Sequence, residues 1–230
     1  MIGLLSCAGS SARWAFGIAL ALAAIDWLAI ACQWRRLHDV FKPATLIGIL
    51  VGAWLLTRGP HDAWVARFFL PGLAFSLAGD VFLLLPERFF LPGLVAFLLG
   101  HVCYIVGLNP TLPPWPALGV LVVVAAIGGL FYRSIAAGLR QRGRSALLAP
   151  VALYSVVLGL MLVSAWATLF RPEWTPLRRG LVVVGASLFF ISDATLAWDR
   201  FVEPAAWRRL LVIVTYHLGQ VGLAASIAAW

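Results

Sequence analysis

Eight apolar runs, at 14–32, 40–56, 64–85, 89–108, 116–132, 147–170, 181–198 and 210–230, account for most of this 230-residue chain, and the breaks between them are too short to hold a soluble unit. A bilayer core is crossed by about 20 helical residues, so each run reads as a membrane-spanning helix. With 63% hydrophobic and 11% charged residues and a mean hydropathy of +0.97, a soluble domain of this length is excluded. The expected fold class is all-α: a polytopic membrane helix bundle of about eight transmembrane helices, forming a single integral membrane domain over 1–230. The breaks carry turn chemistry, as in RGPHD at 58–62, NPTLPPWP at 109–116 and RPEWTPLRR at 171–179.

The net charge of +8 does not point to nucleic acid, because the 17 Lys and Arg lie in short clusters between apolar runs rather than on a polar domain. They read instead as topology signals and headgroup contacts. The breaks after the first, third, fifth and seventh runs hold eleven of them, from Arg35, Arg36 and Lys42 through Arg88 and Arg144 to Arg208 and Arg209. The other six lie on the opposite side. The positive-inside rule then puts the first set in the cytoplasm and both termini outside, in a multi-pass protein of a bacterial inner membrane. Cys7, Cys32 and Cys103 are far apart and form no CxxC pair, which argues against a disulfide framework or a zinc site. Nor do His38, His61, His101 and His217 have metal-ligand spacing. No metal and no cofactor is expected.

Two aspartates sit inside the apolar runs, Asp80 in FSLAGDVFLLLP and Asp193 in LFFISDATLAWD, each six residues before a polar break. A carboxylate within a membrane span is costly unless it faces a protein interior or a wet cavity, so both are candidate site residues. At 1.5 Å per residue each lies about 9 Å from its break, and Asp26 in the first run approaches the same face. Ser76 shares a helical face with Asp80 and is expected to bond it or line its cavity. His101 and Tyr104 face one way on the fourth run, and Tyr216, His217 and Gln220 cluster on the eighth. Tyr154 and Ser192 complete the set of polar groups aimed into the bundle. Lys42, in FKPAT at the start of the second run, lies on the face of the acids, with Pro43 read as a first-turn proline; it is placed either to snorkel to headgroups or to hold a substrate phosphate. By helical rise His101 lies deeper than the acids, about 18 Å from Phe89. Asp26 has Arg35 and Arg36 as candidate neutralising partners. Most of the eleven Trp, including Trp14, Trp115, Trp174, Trp207 and Trp230, fall near run ends and read as interfacial anchors.

The two halves of the chain are alike in outline. GD at 79–80, ERF at 87–89 and a following run with His101 and Tyr104 parallel SD at 192–193, DRF at 199–201 and a run with His217 and Gln220. A four-plus-four parallel repeat fits this spacing, and such repeats commonly put the working site where the halves meet.

The stretches 75–108 (FSLAGDVFLLLPERFFLPGLVAFLLGHVCYIVGL) and 151–166 (VALYSVVLGLMLVSAW), LFFISDATLAWDRF, the later TYHLGQ and the KP at 42–43 together resemble the YhhN-like lysoplasmalogenase family. The resemblance implies an eight-helix membrane hydrolase that cleaves the vinyl ether of a lysoplasmalogen to a fatty aldehyde and a glycerophospho-headgroup. Its two membrane acids correspond to Asp80 and Asp193. The partners implied are a lysophospholipid substrate, membrane lipid and water. Vinyl ether hydrolysis needs a proton donor to the outer alkene carbon, an anion beside the resulting oxocarbenium ion, and a delivered water; two carboxyl groups suffice, as in the related chemistry of glycosidases. The residues alone leave open which aspartate donates. A small-solute or proton-coupled transporter using the acids as a relay is the alternative, as is a lipid-binding protein whose acids only hold the bundle together.

Overall fold

A computed structural model of the chain describes residues 2–228, with side chains from Ser10 onward. The Cys7 side chain and Trp230 lie outside the described residues. The described chain is all-helical: α1 (Ile2–Ala31), α2 (Arg35–Leu56), α3 (Ala63–Leu84), α4 (Phe90–Leu108), α5 (Ala117–Gln141), α6 (Leu148–Ala167), α7 (Pro176–Phe201) and α8 (Ala206–Ala225). Seven of these helices are long and apolar enough to cross a membrane. The eighth, α8, has 20 residues, and its Arg208, Arg209, His217 and Gln220 dilute its apolar character.

Helices extend beyond the apolar runs wherever the backbone can keep bonding, because charge ends lipid burial without ending a helix. Thus α2 begins at Arg35 rather than at residue 40, and α5 continues through Arg133 and Arg140 to Gln141. The earlier start makes Pro43 an interior proline and not a first-turn one. Proline lacks the N–H that would close the bond four residues back. The helix persists around it, and Thr45 Oγ1 donates to the Phe41 carbonyl at 2.8 Å. The α1–α2 and α5–α6 turns each reverse through one left-handed residue, Gln33 (φ 59°) and Gly143 (φ 67°). In each, an amide just beyond bonds back to the preceding helix, Trp34 N–H to Ala29 O at 2.7 Å and Arg144 N–H to Leu139 O at 2.8 Å.

Consecutive helices pair as hairpins, α1 with α2, α3 with α4, α5 with α6 and α7 with α8. Small residues set the closest approaches, as is usual between helices in lipid. A Cβ on Gly185 of α7 would stand 3.0 Å from the Gly219 carbonyl of α8, and one on Gly100 of α4 would stand 3.0 Å from the Gly72 carbonyl of α3. Between the halves, α2 packs on α8 and α4 on α6, contacts that exchange when the first four helices are swapped with the last four. The same sequence offset relates Gly72 to Gly185, Asp80 to Asp193, and the α3 N-cap Asp62 to the α7 N-cap Thr175.

Both ends of the bundle are latched by arginines. On the face carrying the α3–α4, α5–α6 and α7–α8 turns, Glu87 takes Arg144 at 3.0 Å and Arg200 at 2.6 Å. Arg142 donates to the Val202 carbonyl at 2.9 Å. On the opposite face Arg178 donates to Asp62 at 2.9 Å and to the Ser226 carbonyl at 3.0 Å, tying α3, α7 and α8 together. Trp174 lies under that guanidinium, 3.9 Å from ring centroid to Cζ. With 3% of its surface exposed it belongs to this latch and is no interfacial anchor, unlike Trp14 and Trp115 at 73% and 82%.

Burial pushes the Asp62 carboxyl up, but hydrogen bonds from the Val65 N–H and Arg178, with the charge of Arg178, outweigh it and hold the carboxyl below its ordinary 3.8. A carboxyl lowered in the folded state contributes stability that is complete above its unfolded pKa and is lost as pH falls through the folded one. The latch is therefore intact at neutral and mildly acidic pH and releases only below about 3.8. Asp62→Asn keeps an N-cap acceptor but removes the charge beside Arg178. It is expected to cost roughly 1–3 kcal/mol at pH 7 and nothing further at strongly acidic pH, as thermal unfolding in detergent across pH measures.

Candidate active site

Asp80 lies one turn before the end of α3, fully buried. Two groups from other helices meet it: Lys42 of α2, with Nζ 3.0 Å from Oδ1, and Tyr216 of α8, whose hydroxyl donates to Oδ2 at 2.7 Å. The Lys42 contact is a charge pairing and lacks the angle of a directed hydrogen bond. Its ammonium also stands 5.8 Å from the centroid of the Tyr216 ring. Lys42 therefore turns inward onto an acid and does not snorkel to the bilayer surface.

Asp193 of α7 has a different setting. The Tyr154 hydroxyl of α6 donates to its Oδ2, and His101 Nε2 of α4 lies 3.6 Å from the same oxygen. The other His101 nitrogen, Nδ1, is 2.6 Å from the Phe97 carbonyl. A carbonyl only accepts, so Nδ1 carries the hydrogen and Nε2 of a neutral ring presents a lone pair to the carboxyl. At 3.6 Å His101 Nε2 stands beyond hydrogen-bond distance of the carboxyl and has no hydrogen-bond partner among the described residues, so Asp193 is bonded by the Tyr154 hydroxyl, whereas Asp80 faces the Lys42 ammonium.

Both acids line one cavity with Lys42, Tyr154, Ser192 and Tyr216. Apart from Ser155 and Arg200 the rest of the wall is apolar, with Leu94, Phe97, Phe131 and Leu158 among its residues. Ser192 presents its face to the cavity while its Oγ donates to the Val212 carbonyl of α8 at 3.0 Å. Interactions in such a dry space are strong, because little water competes for the polar atoms. Among the described residues no group of three His, Cys, Asp or Glu is placed to hold a metal ion.

The remaining expected residues sit behind this chamber or apart from it. His101 stands beside Asp193 rather than deeper than the acids, because its ring reaches across to α7 and packs on Phe189, and depth counted along one helix does not transfer to its neighbour. Ser76 donates to the Gly72 carbonyl at 3.0 Å and does not bond Asp80. Tyr104 donates to Gln220 Oε1 at 2.7 Å, a fully buried bond between the two halves. His217 accepts from Trp27 Nε1 at 3.2 Å through Nδ1, which puts its hydrogen on Nε2. Asp26 pairs with His38 at 2.8 Å, not with Arg35 or Arg36, and it does not line the chamber. His38 and Trp27 are the residues that sequence reasoning missed. Starting α2 at residue 40 leaves His38 in a loop, while the observed start places it four residues before Lys42 on the same helical face.

The fold and this site define a class: a polytopic helix bundle with two carboxyls inside it, one paired to a lysine and one bonded by a tyrosine, on a shared and largely apolar chamber. The YhhN family profile matches residues 37–227, and the chain belongs to the YhhN family. It is 29% identical to mouse (Mus musculus) "Lysoplasmalogenase TMEM86B", over 93% of this chain and 86% of that protein. It is 33% identical to human (Homo sapiens) "Lysoplasmalogenase TMEM86A", over 88% and 76%. To the Escherichia coli O157:H7 protein named "Uncharacterized membrane protein YhhN" it is 32% identical, over 78% and 82%. No solved structure gives a significant match.

In the Lys42–Asp80 pair the carboxyl is buried and the lysine side chain is half-buried, and removing one partner of such a pair leaves an uncompensated charge. Lys42→Met is expected to destabilise the protein by roughly 3–5 kcal/mol, and adding Asp80→Asn should recover more than half of that loss. Unfolding in detergent by heat or denaturant measures both. An unchanged Lys42→Met protein would mean that Lys42 does not neutralise Asp80.

Proposed function

We propose that the protein is a lysoplasmalogenase, hydrolysing the vinyl ether of a lysoplasmalogen to a fatty aldehyde and a glycerophospho-headgroup. The observation that carries the reading is the unequal setting of two acids on one chamber, Asp80 against a cation and Asp193 against a phenol and an imidazole. Relatives named for this activity at about 30% identity over most of the chain support it and favour a hydrolase over a solute carrier.

Asp193 is the proton donor in this scheme, and Asp80, kept ionised by Lys42 and the Tyr216 hydroxyl, is the base. The Asp193 proton passes to the outer alkene carbon, and the electron pair of the double bond forms the new C–H bond. The positive charge left on the ether-bearing carbon is shared with the ether oxygen, beside the Asp80 carboxylate. Asp80 then takes a proton from a water as its oxygen bonds that carbon, giving a hemiacetal. In the collapse Asp193 takes back the hydroxyl proton, while Asp80 returns its own to the departing glycerol oxygen. Water is consumed, an aldehyde and an alcohol are released, and both acids recover their starting states. Such division of labour between two carboxyls set apart by their surroundings is a general route to acid and base in one site.

The basic residues around the α1–α2, α3–α4, α5–α6 and α7–α8 turns support an orientation with that face toward the cytoplasm, in a bacterial inner membrane. The acids then work in the inner leaflet, within reach of a lysolipid held there.

Purified protein incubated with lysoplasmalogen is expected to release fatty aldehyde, detected by mass spectrometry, and to leave acyl and alkyl lysolipids intact. Asp80→Asn and Asp193→Asn should each lower that release by about a thousandfold or more in protein that remains folded. The double variant should lose little beyond either single one, as with groups that act as a unit. Near-normal turnover in either single variant, or independent multiplication of the two losses, would contradict the paired-acid mechanism.

A further inference from the structure

A groove between α5 and α6 runs into the acid chamber from the side. Val124, Ala125 and Gly129 of α5 and Val156 and Leu160 of α6 form its walls, and it shares Gly128 and Ser155 with the chamber that holds Asp80 and Asp193. Its two hydroxyls are turned to the backbone: Tyr132 donates to the Leu148 carbonyl and Ser155 to the Val151 carbonyl, both at 2.8 Å. What faces the groove is therefore hydrocarbon.

Three glycines of α5 before Tyr132 have room around them. At Gly72, Gly185 and Gly219, and at Gly138 near the end of α5, an added Cβ would strike a neighbouring helix, whereas at Gly119, Gly128 and Gly129 it would meet nothing within 4 Å. Small residues here leave open space instead of letting two backbones close up. From Tyr132 to Leu121 the groove follows α5 for eleven residues, about 16 Å, and it leads away from the α5–α6 turn face. A lipid in the leaflet of that face has its headgroup at the surface and its chain running inward in the same direction.

We propose that this groove seats the long unbranched hydrocarbon chain of a single-chain lipid, which enters sideways from the leaflet with its first carbons at the acids and its tail between α5 and α6. The inference rests on the hydrolase reading for which bond is placed at the acids, but the groove itself is tested by binding alone.

Gly128 is the narrow point shared by groove and chamber, and Gly128→Phe fills it without displacing a helix, since its Cβ meets open space. The variant is expected to lower the ratio of kcat/KM for a long-chain over a short-chain lysoplasmalogen by about tenfold or more, because forfeiting the burial of two methylene groups already corresponds to a factor of that size. An independent readout uses a non-cleavable alkyl-ether lysophosphocholine carrying a diazirine at its chain end. It should cross-link to Val124, Val156 or Leu160 in the natural protein and lose that labelling in Gly128→Phe. If wild-type protein releases no aldehyde yet the cross-link maps to the groove and is lost in the variant, the hydrolase reading fails and the chain groove stands. Equal loss of long- and short-chain turnover with the cross-link unchanged would overturn the groove. So would labelling of the groove by a diacyl lipid with the same probe as strongly as by the lysolipid, which marks ordinary bilayer contact.

Discussion

The pairing of Lys42 with Asp80 inside the bundle is the interaction on which the rest of the site depends. A lone carboxylate at this depth would be expensive in lipid, and a lone ammonium equally so; together they hold an anion where the chamber needs one. The hydroxyl of Tyr216 satisfies the second oxygen of Asp80. Among the described residues Asp193 has no lysine or arginine in ion-pair contact. Its neighbours are a phenol and an imidazole already committed to a backbone carbonyl, and that difference sets the two chemically identical side chains in unlike surroundings.

The fold brings these groups together by pairing helices that are distant in sequence. Asp80 of α3 meets Lys42 from α2 and Tyr216 from α8, while Asp193 of α7 meets His101 from α4 and Tyr154 from α6. The half-swapping contacts of α2 with α8 and α4 with α6 are thus the ones that complete each acid's shell of partners. Tyr104 of α4 and Gln220 of α8 bond each other between the two halves. The close crossings at Gly72–Gly100 and Gly185–Gly219 fix the hairpins that carry the acids, and the stretch of α5 around Gly128 and Gly129 keeps open space beside them. Rigidity around the carboxyls and open space beside them come from the same residue type used in opposite ways.

That Asp80 and Asp193 face the bundle interior was legible, because a carboxylate in an apolar run is too costly to leave facing lipid. The helix count was legible from run length alone. Partner choice was not. Ser76 has the spacing to reach Asp80, yet its hydroxyl bonds the Gly72 carbonyl of its own helix, an option that any serine in a helix possesses. Asp26 has two arginines near it in sequence, but His38 lies on the face that turns toward it once α2 starts at Arg35. Trp174 sits at a run end like the anchoring tryptophans, and only the packing of Arg178 over its ring separates it from them. In each case the deciding quantity is a direction in space between helices, which spacing along one helix does not contain.

The central claim is that Asp193 carries a proton in the resting protein while Asp80 does not, and infrared spectroscopy reads this directly through the carbonyl stretch of a protonated carboxyl. The difference spectrum between natural protein and Asp193→Asn at neutral pH should contain that band. The corresponding difference for Asp80→Asn should show only the loss of carboxylate stretches. A protonated-carboxyl band that disappears with Asp80 and survives the loss of Asp193 would contradict the account.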